Sequence, residues 1–258
     1  MNEDALLKSV FPIALENGDG RVQDFRGTAF LLNYGSFKFV VTAWHCIRNI
    51  IKKRYKNWGI INDNTITEDM VRTVIEKHCS FGFTKSDNCW RIPINGVPAV
   101  VEKHIGKRLD ITLLCIDEES FAKKNDTSLA EIEPLQLSNQ NLYIGKKYRI
   151  AGYPDAMRDE ENKIIRLGWR YLTLIDIEPE NVDKLELEQG LLAFESDDTH
   201  AKFNGYSGGV VLDDEDGIVG MIIRAPDEEK VVRFITSRMI DRILHQYISE
   251  NILPLYVD

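Results

Sequence analysis

Val40-Val41-Thr42-Ala43-Trp44-His45-Cys46 decides the reading of this chain, because an apolar strand there runs straight into a histidine. Two strings of the same kind lie further along. Leu109-Asp110-Ile111-Thr112-Leu113-Leu114 sets an aspartate at the mouth of an apolar strand. Asn204-Gly205-Tyr206-Ser207-Gly208-Gly209 sets a serine among glycines. Histidine, aspartate and serine are the three groups that nucleophilic acyl transfer needs. A serine hydroxyl is too weakly acidic to attack a carbonyl alone, so a histidine must take its proton. A carboxylate then holds that histidine in the right tautomer and stabilises the imidazolium that forms. The glycines beside Ser207 permit a sharp bend and a close approach of backbone to substrate.

On these residues the chain resembles the trypsin-like (chymotrypsin-fold) serine proteases, in style nearer the HtrA-type and other bacterial intracellular branches than the secreted digestive enzymes. Gly27-Thr28-Ala29-Phe30-Leu31-Leu32 and the string ending at Cys46 are similar to the family's histidine block. Asp110-Ile111-Thr112-Leu113-Leu114 resembles its D-I-A-L-L block, and Gly205-Tyr206-Ser207-Gly208-Gly209 its G-[DN]-S-G-G block. Gly217-Ile218-Val219-Gly220 resembles the strand that follows. The order His, Asp, Ser is the chymotrypsin order, not that of subtilisin or the α/β-hydrolases.

The resemblance implies an all-β fold of two antiparallel β-barrels. Residues 1–125 would form the first barrel, carrying His45 and Asp110. Residues 126–258 would form the second, carrying Ser207 and closed by a C-terminal helix. It also implies roles: Ser207 as nucleophile, His45 as base and then acid, Asp110 as orienting carboxylate, and the N–H groups of Gly205 and Ser207 as oxyanion hole. The floor of the substrate pocket falls on Ala201, with Gly220, Met221 and Ile222 on its wall. An uncharged Ala201 argues against recognition of Lys or Arg and for an apolar or small side chain. Two departures stand out. Tyr206 replaces the Asp or Asn before the serine and cannot pair with a new N-terminus, so activation by N-terminal processing is not expected. Val210 replaces the proline that commonly follows S-G-G.

Composition narrows the classes further. Hydrophobic residues make up 43% and charged residues 28% of 258, as in an ordinary globular protein. The net charge of −9 argues against general nucleic-acid or acidic-membrane binding. Arg48, Lys52, Lys53, Arg54 and Lys56, interleaved with Tyr55 and Trp58, read as a solvated helix face. Met1-Asn2-Glu3-Asp4 is acidic and Lys8 interrupts the apolar stretch after it. No signal peptide is read there, and no apolar run approaches the ~20 residues that cross a bilayer. The expectation is a cytoplasmic protein. Cys46, Cys79, Cys89 and Cys115 show no C-x-x-C pairing, and His78, Cys79, Cys89 and His104 match no standard zinc spacing. No metal or organic cofactor is expected. The resemblance adds that the usual partner of Cys46 is missing from the Gly27–Leu32 strand, leaving a free, buried thiol.

Along the chain, apolar runs flanking Asn33-Tyr34-Gly35-Ser36 predict a hairpin. Residues 46–58 predict a short helix. Thr67 is placed as the cap of a helix carrying Met70, Val71, Val74 and Ile75. That helix falls between His45 and Asp110, an interval longer than in compact relatives, so it reads as an insertion in the first half. Strand-like runs follow at 99–101 and 111–116. The polar stretch Asp117–Glu133 reads as the connection between halves. Further short strands are expected at 147–151, 169–177, 190–195, 210–212, 217–224 and 231–235. Ser237 is expected to cap a closing helix in which Met239, Ile240, Ile243, Leu244 and Ile248 recur at helical spacing.

Two rivals remain. Gly205-x-Ser207-x-Gly209 also fits the nucleophile elbow of α/β-hydrolases, but that fold needs an acid and then a histidine after the serine. Only His245 is available, and it lies in the expected terminal helix. The second rival is a protease-like domain that binds peptides or protein partners without cleaving them. A cytoplasmic endopeptidase must be kept from its neighbours. The reading therefore includes a protein or peptide substrate and an activating partner, one of which orders the Gly205–Ser207 loop.

Overall fold

The computed structural model describes residues 6, 8–16, 22–55, 66–81, 99–100, 109–125, 134–159, 161–162, 164–176, 191–195, 203–224 and 231–252. Two antiparallel sheets organise them. The first takes β1 (Val10–Glu16), β2 (Val22–Tyr34), β3 (Phe37–Thr42), β4 (Cys79–Phe81), β5 (Ala99–Val100) and β6 (Thr112–Cys115), in the order β4-β1-β2-β3-β6-β5. It is a curled, open sheet among the described residues. The second takes β7 (Lys147–Gly152), β10 (Gly168–Ile175), β11 (Leu191–Glu195), β12 (Val210–Leu212), β13 (Ile218–Arg224) and β14 (Val231–Thr236). It closes into a barrel, β10-β11-β14-β13-β12-β7. A small hairpin, β8 (Arg158–Asp159) and β9 (Ile164–Ile165), projects between β7 and β10.

Local chemistry explains the turns. Tyr34 pairs with Phe37 across the two-residue loop Gly35-Ser36, and Gly35 takes φ +60. Such loops need positive φ to match the strand twist, which glycine supplies without strain. All seven residues of β1 are buried, yet Pro12 lies within it. The register shifts between Pro12 and Ala14, a bulge where a missing N–H is tolerated.

Four α-helices with described bounds decorate the sheets. α1 (Trp44–Arg54) follows β3 after a single residue and buries Trp44, Cys46, Ile47, Ile50 and Ile51, one helical face. Its last turn carries Lys52, Lys53 and Arg54, the favourable end of the helix dipole for cations. α2 (Glu68–His78) is the expected insertion, capped as expected by Thr67, whose Oγ1 accepts from Met70 N at 3.3 Å. α3 (Glu118–Asn125) occupies the start of the polar connection. α4 (Ser237–Tyr247) follows β14, but its cap is Thr236 rather than Ser237. Thr236 ends β14 in extended geometry, and its Oγ1 accepts from Met239 N at 3.4 Å. No described helix is long and apolar enough to cross a membrane.

The two sheets are joined by backbone, not only by packing. Leu135 exchanges hydrogen bonds with Leu31 and Asn33 of β2 at 2.9 Å each, while Ile218 of β13 bonds Gln136 and Ser138 at 2.8 Å each. α4 crosses the seam as well. Tyr34 Oη donates to Asp241 Oδ1 at 2.7 Å, and the Phe39 and Tyr247 rings meet edge-on at 6.1 Å. The ring contact is the stronger tie, worth about 0.5–1.5 kcal/mol beyond its burial, since the hydrogen bond is exposed. This joint fixes the position of the Ser207 loop against the His45 segment.

Candidate active site

β3 delivers its last residue, Thr42, into the seam, and the chain turns at Ala43 so that His45 falls in the first turn of α1. Asp110 sits in a bend between buried Leu109 and Ile111, just before β6, which pairs with β3 through Thr42↔Thr112. That pairing brings residues far apart in sequence into register. Asp110 grips His45 at two points: Oδ1 accepts from His45 N at 2.8 Å, and Oδ2 lies 2.5 Å from Nδ1. The two-point grip fixes both the backbone and the plane of the imidazole. The carboxylate is part-buried against the ring, with 30% of the Asp110 side chain exposed.

The electrostatics follow from this contact. Burial disfavours the charged imidazole of His45, but the Asp110 hydrogen bond, the neighbouring Cys46 and the Asp110 charge outweigh it. The pKa rises from 6.5 to about 10. The pair therefore favours the imidazolium, the state that forms when the ring takes a proton from a nucleophile.

Ser207 is tied to the same seam by its backbone. Its carbonyl accepts from Thr28 N at 2.9 Å and from the Cys46 thiol at 3.7 Å, so the residue next to His45 touches the residue expected to be the nucleophile. Gly205 and Gly208 take φ +92 and +84. A side chain at Gly208 would also meet Thr28 O at 1.9 Å, so the loop is written for glycine there. The surrounding amides are spent: Tyr206 N donates to Phe203 O, Gly208 N to Ile222 O and Gly209 N to Tyr206 O. Among the described residues, the N–H groups of Gly205 and Ser207 donate to nothing. The His45 ring makes no hydrogen bond to the Ser207 hydroxyl among them either.

Thr28 is the residue that sequence reasoning missed. It is fully buried in an apolar strand. Its Oγ1 donates to Gly205 O at 3.1 Å and accepts from Tyr153 N at 2.8 Å, while its carbonyl accepts from Thr42 Oγ1 at 2.6 Å. One side chain thus joins β2, the end of β7 and the serine loop. The available signal was a threonine amid apolar residues, since a buried hydroxyl needs partners.

Of the expected pocket residues the structure describes the wall strand, where Ile222 O accepts from Gly208 N at 2.7 Å and Ile222 N donates to Gly209 O at 2.8 Å. Ala201 lies outside the described residues, as do Cys89, His104 and His200. Gly220, Met221 and Ile222 are buried in the barrel, because β13 pairs Met221 with Val210 and first reaches the surface at Ile223 and Arg224. A Cβ at Gly220 would lie 2.2 Å from Phe234, so this glycine makes room for a core ring. Cys46, Cys79 and Cys115 are free and buried, in line with the expected thiol at Cys46. Among the described residues no cluster of His, Cys, Asp and Glu could hold a metal.

With this geometry in place, comparison with known proteins is informative. A family model, the trypsin-like peptidase domain, matches residues 27–221. The chain belongs to that family. No curated protein matches it in sequence. Among solved structures it is similar to human heparin binding protein, with TM-score 0.58, 11% identity and coverage of 96% of this chain and 95% of that one. The scabies mite inactivated protease paralogue S-I1 gives 0.59, 12%, 97% and 98%. Neuropsin, a serine protease from mouse brain, gives 0.55, 16%, 92% and 93%. At such identities the likeness shows the chymotrypsin fold alone.

Proposed function

We propose that this protein is a serine endopeptidase acting through His45, Asp110 and Ser207. The observation that carries the reading is the two-point grip of Asp110 on His45, made beside a serine whose own N–H, like that of Gly205, donates to nothing among the described residues. Ser207 Oγ attacks the peptide carbonyl, and His45 Nε2 takes its proton while Asp110 holds the Nδ1–H. The developing oxyanion takes hydrogen bonds from the Gly205 and Ser207 amides. Such donors act in place, without reorganisation, and losing one typically costs about 3–4 kcal/mol of barrier. His45 then protonates the leaving amine, an acyl-enzyme remains on Ser207, and water hydrolyses it by the same relay. The substrate is a protein or peptide. Its side chain before the scissile bond would face Ile223 and Arg224, the residues where β13 reaches the surface. Placement in the HtrA-type and other bacterial intracellular branches, and a cytoplasmic site of action, belong to this proposal. Three free, buried thiols support them, since such cysteines suit a reducing compartment.

A second reading is a protease-like domain that binds peptides without cleaving them, or one that a partner must switch on. It is favoured by the missing hydrogen bond between the Ser207 hydroxyl and the His45 ring among the described residues. Catalytic hydrogen bonds often tighten only in the Michaelis complex, which weighs the balance back toward the enzyme. Fluorophosphonate labelling of the purified chain separates the two. An adduct on Ser207 that requires His45 supports the peptidase, and its appearance only with an added partner supports the conditional form.

A further inference from the structure

Tyr206 lies between the two amides of the proposed oxyanion hole, and its surroundings give it a task. Its backbone is the shared corner of two turns: Tyr206 N donates to Phe203 O at 3.1 Å, and Tyr206 O accepts from Gly209 N at 2.7 Å. Its side chain points the other way, 1% exposed, into the core of the second barrel. Two glycines clear a slot for it. A Cβ at Gly152 would lie 2.9 Å from Tyr206 Cδ1, and one at Gly168 would lie 2.7 Å from the hydroxyl oxygen.

Arg170, on β10, closes that slot. Its guanidinium donates a hydrogen bond to Tyr206 and stands over the Phe203 ring, with Cζ 5.4 Å from the centroid. Phe203 and Tyr206 in turn pack at 6.1 Å. One cation therefore touches both ends of the first turn, Phe203 by its face and Tyr206 by its hydroxyl. Burial keeps the phenol protonated, with its pKa raised even though Arg170 opposes the rise. The anchor is thus a neutral acceptor under a permanent cation.

We infer that Arg170 is a positioning residue for the proposed reaction, holding the Gly205–Ser207 loop through Tyr206 so that both amides face the substrate. The inference rests on the peptidase reading. It deepens that reading by making the loop pre-formed: the anchor lies inside the chain, so neither a newly released N-terminus nor a partner is needed to order it. Arg170 acts through Tyr206 and touches no reacting atom.

The test compares wild type with Arg170→Met, Arg170→Lys and Tyr206→Phe. Fluorophosphonate labelling of Ser207 is followed over a range of reagent concentrations, with hydrogen exchange of the peptide spanning 203–209 and the melting temperature measured in parallel. Arg170→Met and Tyr206→Phe should lower the limiting labelling rate by about a hundredfold, the effect of a misplacement near 1 Å, with reagent half-saturation unchanged. Exchange at 203–209 should quicken while β1–β3 exchange as before. Arg170→Lys keeps charge and donor and should recover most of the rate. The inference is overturned if Arg170→Met labels and exchanges like wild type. It is also overturned if Arg170→Lys is as slow as Arg170→Met while both melt lower. Wild type that takes no adduct overturns the peptidase reading instead, and exchange at 203–209 in Arg170→Met then decides the anchoring alone.

Discussion

Replacing Thr28 with valine is the sharpest perturbation the structure offers, because it changes polarity at nearly constant volume. The Thr28 hydroxyl serves two buried backbone groups at once, Gly205 O at 3.1 Å and Tyr153 N at 2.8 Å. Valine leaves both without that partner. Stranding a buried donor or acceptor costs about 1–3 kcal/mol, so two give about 2–6 kcal/mol, with the lower half favoured because Gly205 is only partly buried. In a chain of this length each kcal/mol moves the melting temperature by about 2–4 °C, so Thr28→Val should melt on the order of 5–15 °C lower. Thr28→Ser keeps the hydroxyl and loses one buried methyl, about 1 kcal/mol. It separates the hydrogen bonds from the packing. Urea melts at constant slope report the stability, and fluorophosphonate labelling reports the loop. The Val variant should also label more slowly at temperatures where it is fully folded, because Gly205 loses its tether. A Val variant that melts and labels like wild type would refute the role assigned to Thr28. So would a Ser variant as damaged as Val.

Other expectations follow from single contacts. Asp110→Asn should stay folded and lower the labelling rate by on the order of 10⁴, as expected when the imidazole loses its correct tautomer; an unchanged rate removes Asp110 from the relay. The reactive form of His45 is neutral, so the labelling rate should rise with pH through a pKa above 6.5, toward about 10, and Asp110→Asn should return that limb toward 6.5. The sign for stability is the reverse. A raised histidine pKa contributes fully below about 6.5 and is lost as pH climbs through about 10, which urea melts across that window would register. Gly208→Ala places a Cβ 1.9 Å from Thr28 O at φ +84 and should fail to give soluble folded protein; a stable variant contradicts the loop geometry. The thiols of Cys46, Cys79 and Cys115 should resist maleimide until denaturant is added, because all three are buried and burial lifts Cys79 to about 12.

How much of this could be read from the residues differs by element. The hairpin at Gly35-Ser36, the insertion helix behind Thr67 and the strands of the second half were legible, because turn chemistry and apolar runs act locally. The joining of His45 and Asp110 was legible only through family resemblance. The contact depends on β3 pairing β6 in one register, which no local pattern encodes. The burial of the expected pocket wall was not legible for a related reason. Gly220 matched a familiar string, but the pairing of Met221 with Val210 carries that string into the core and exposes the strand only from Ile223. The cap of α4 slipped by one residue because Thr236 and Ser237 are both good caps, and the end of β14 chose between them. Thr28 and Arg170 escaped notice because their partners lie far off in sequence, in the serine loop and just past β7, and long-range hydrogen bonds leave little mark on sequence.

The central claim is that His45, Asp110 and Ser207 form one working centre, and intact-mass analysis after incubation with a fluorophosphonate tests it most directly. Wild type should gain one adduct, mapped to Ser207. Ser207→Ala and His45→Ala should gain none while melting as cooperatively as wild type. Folded wild-type protein that takes no adduct, or one that labels equally well without His45, would contradict the account.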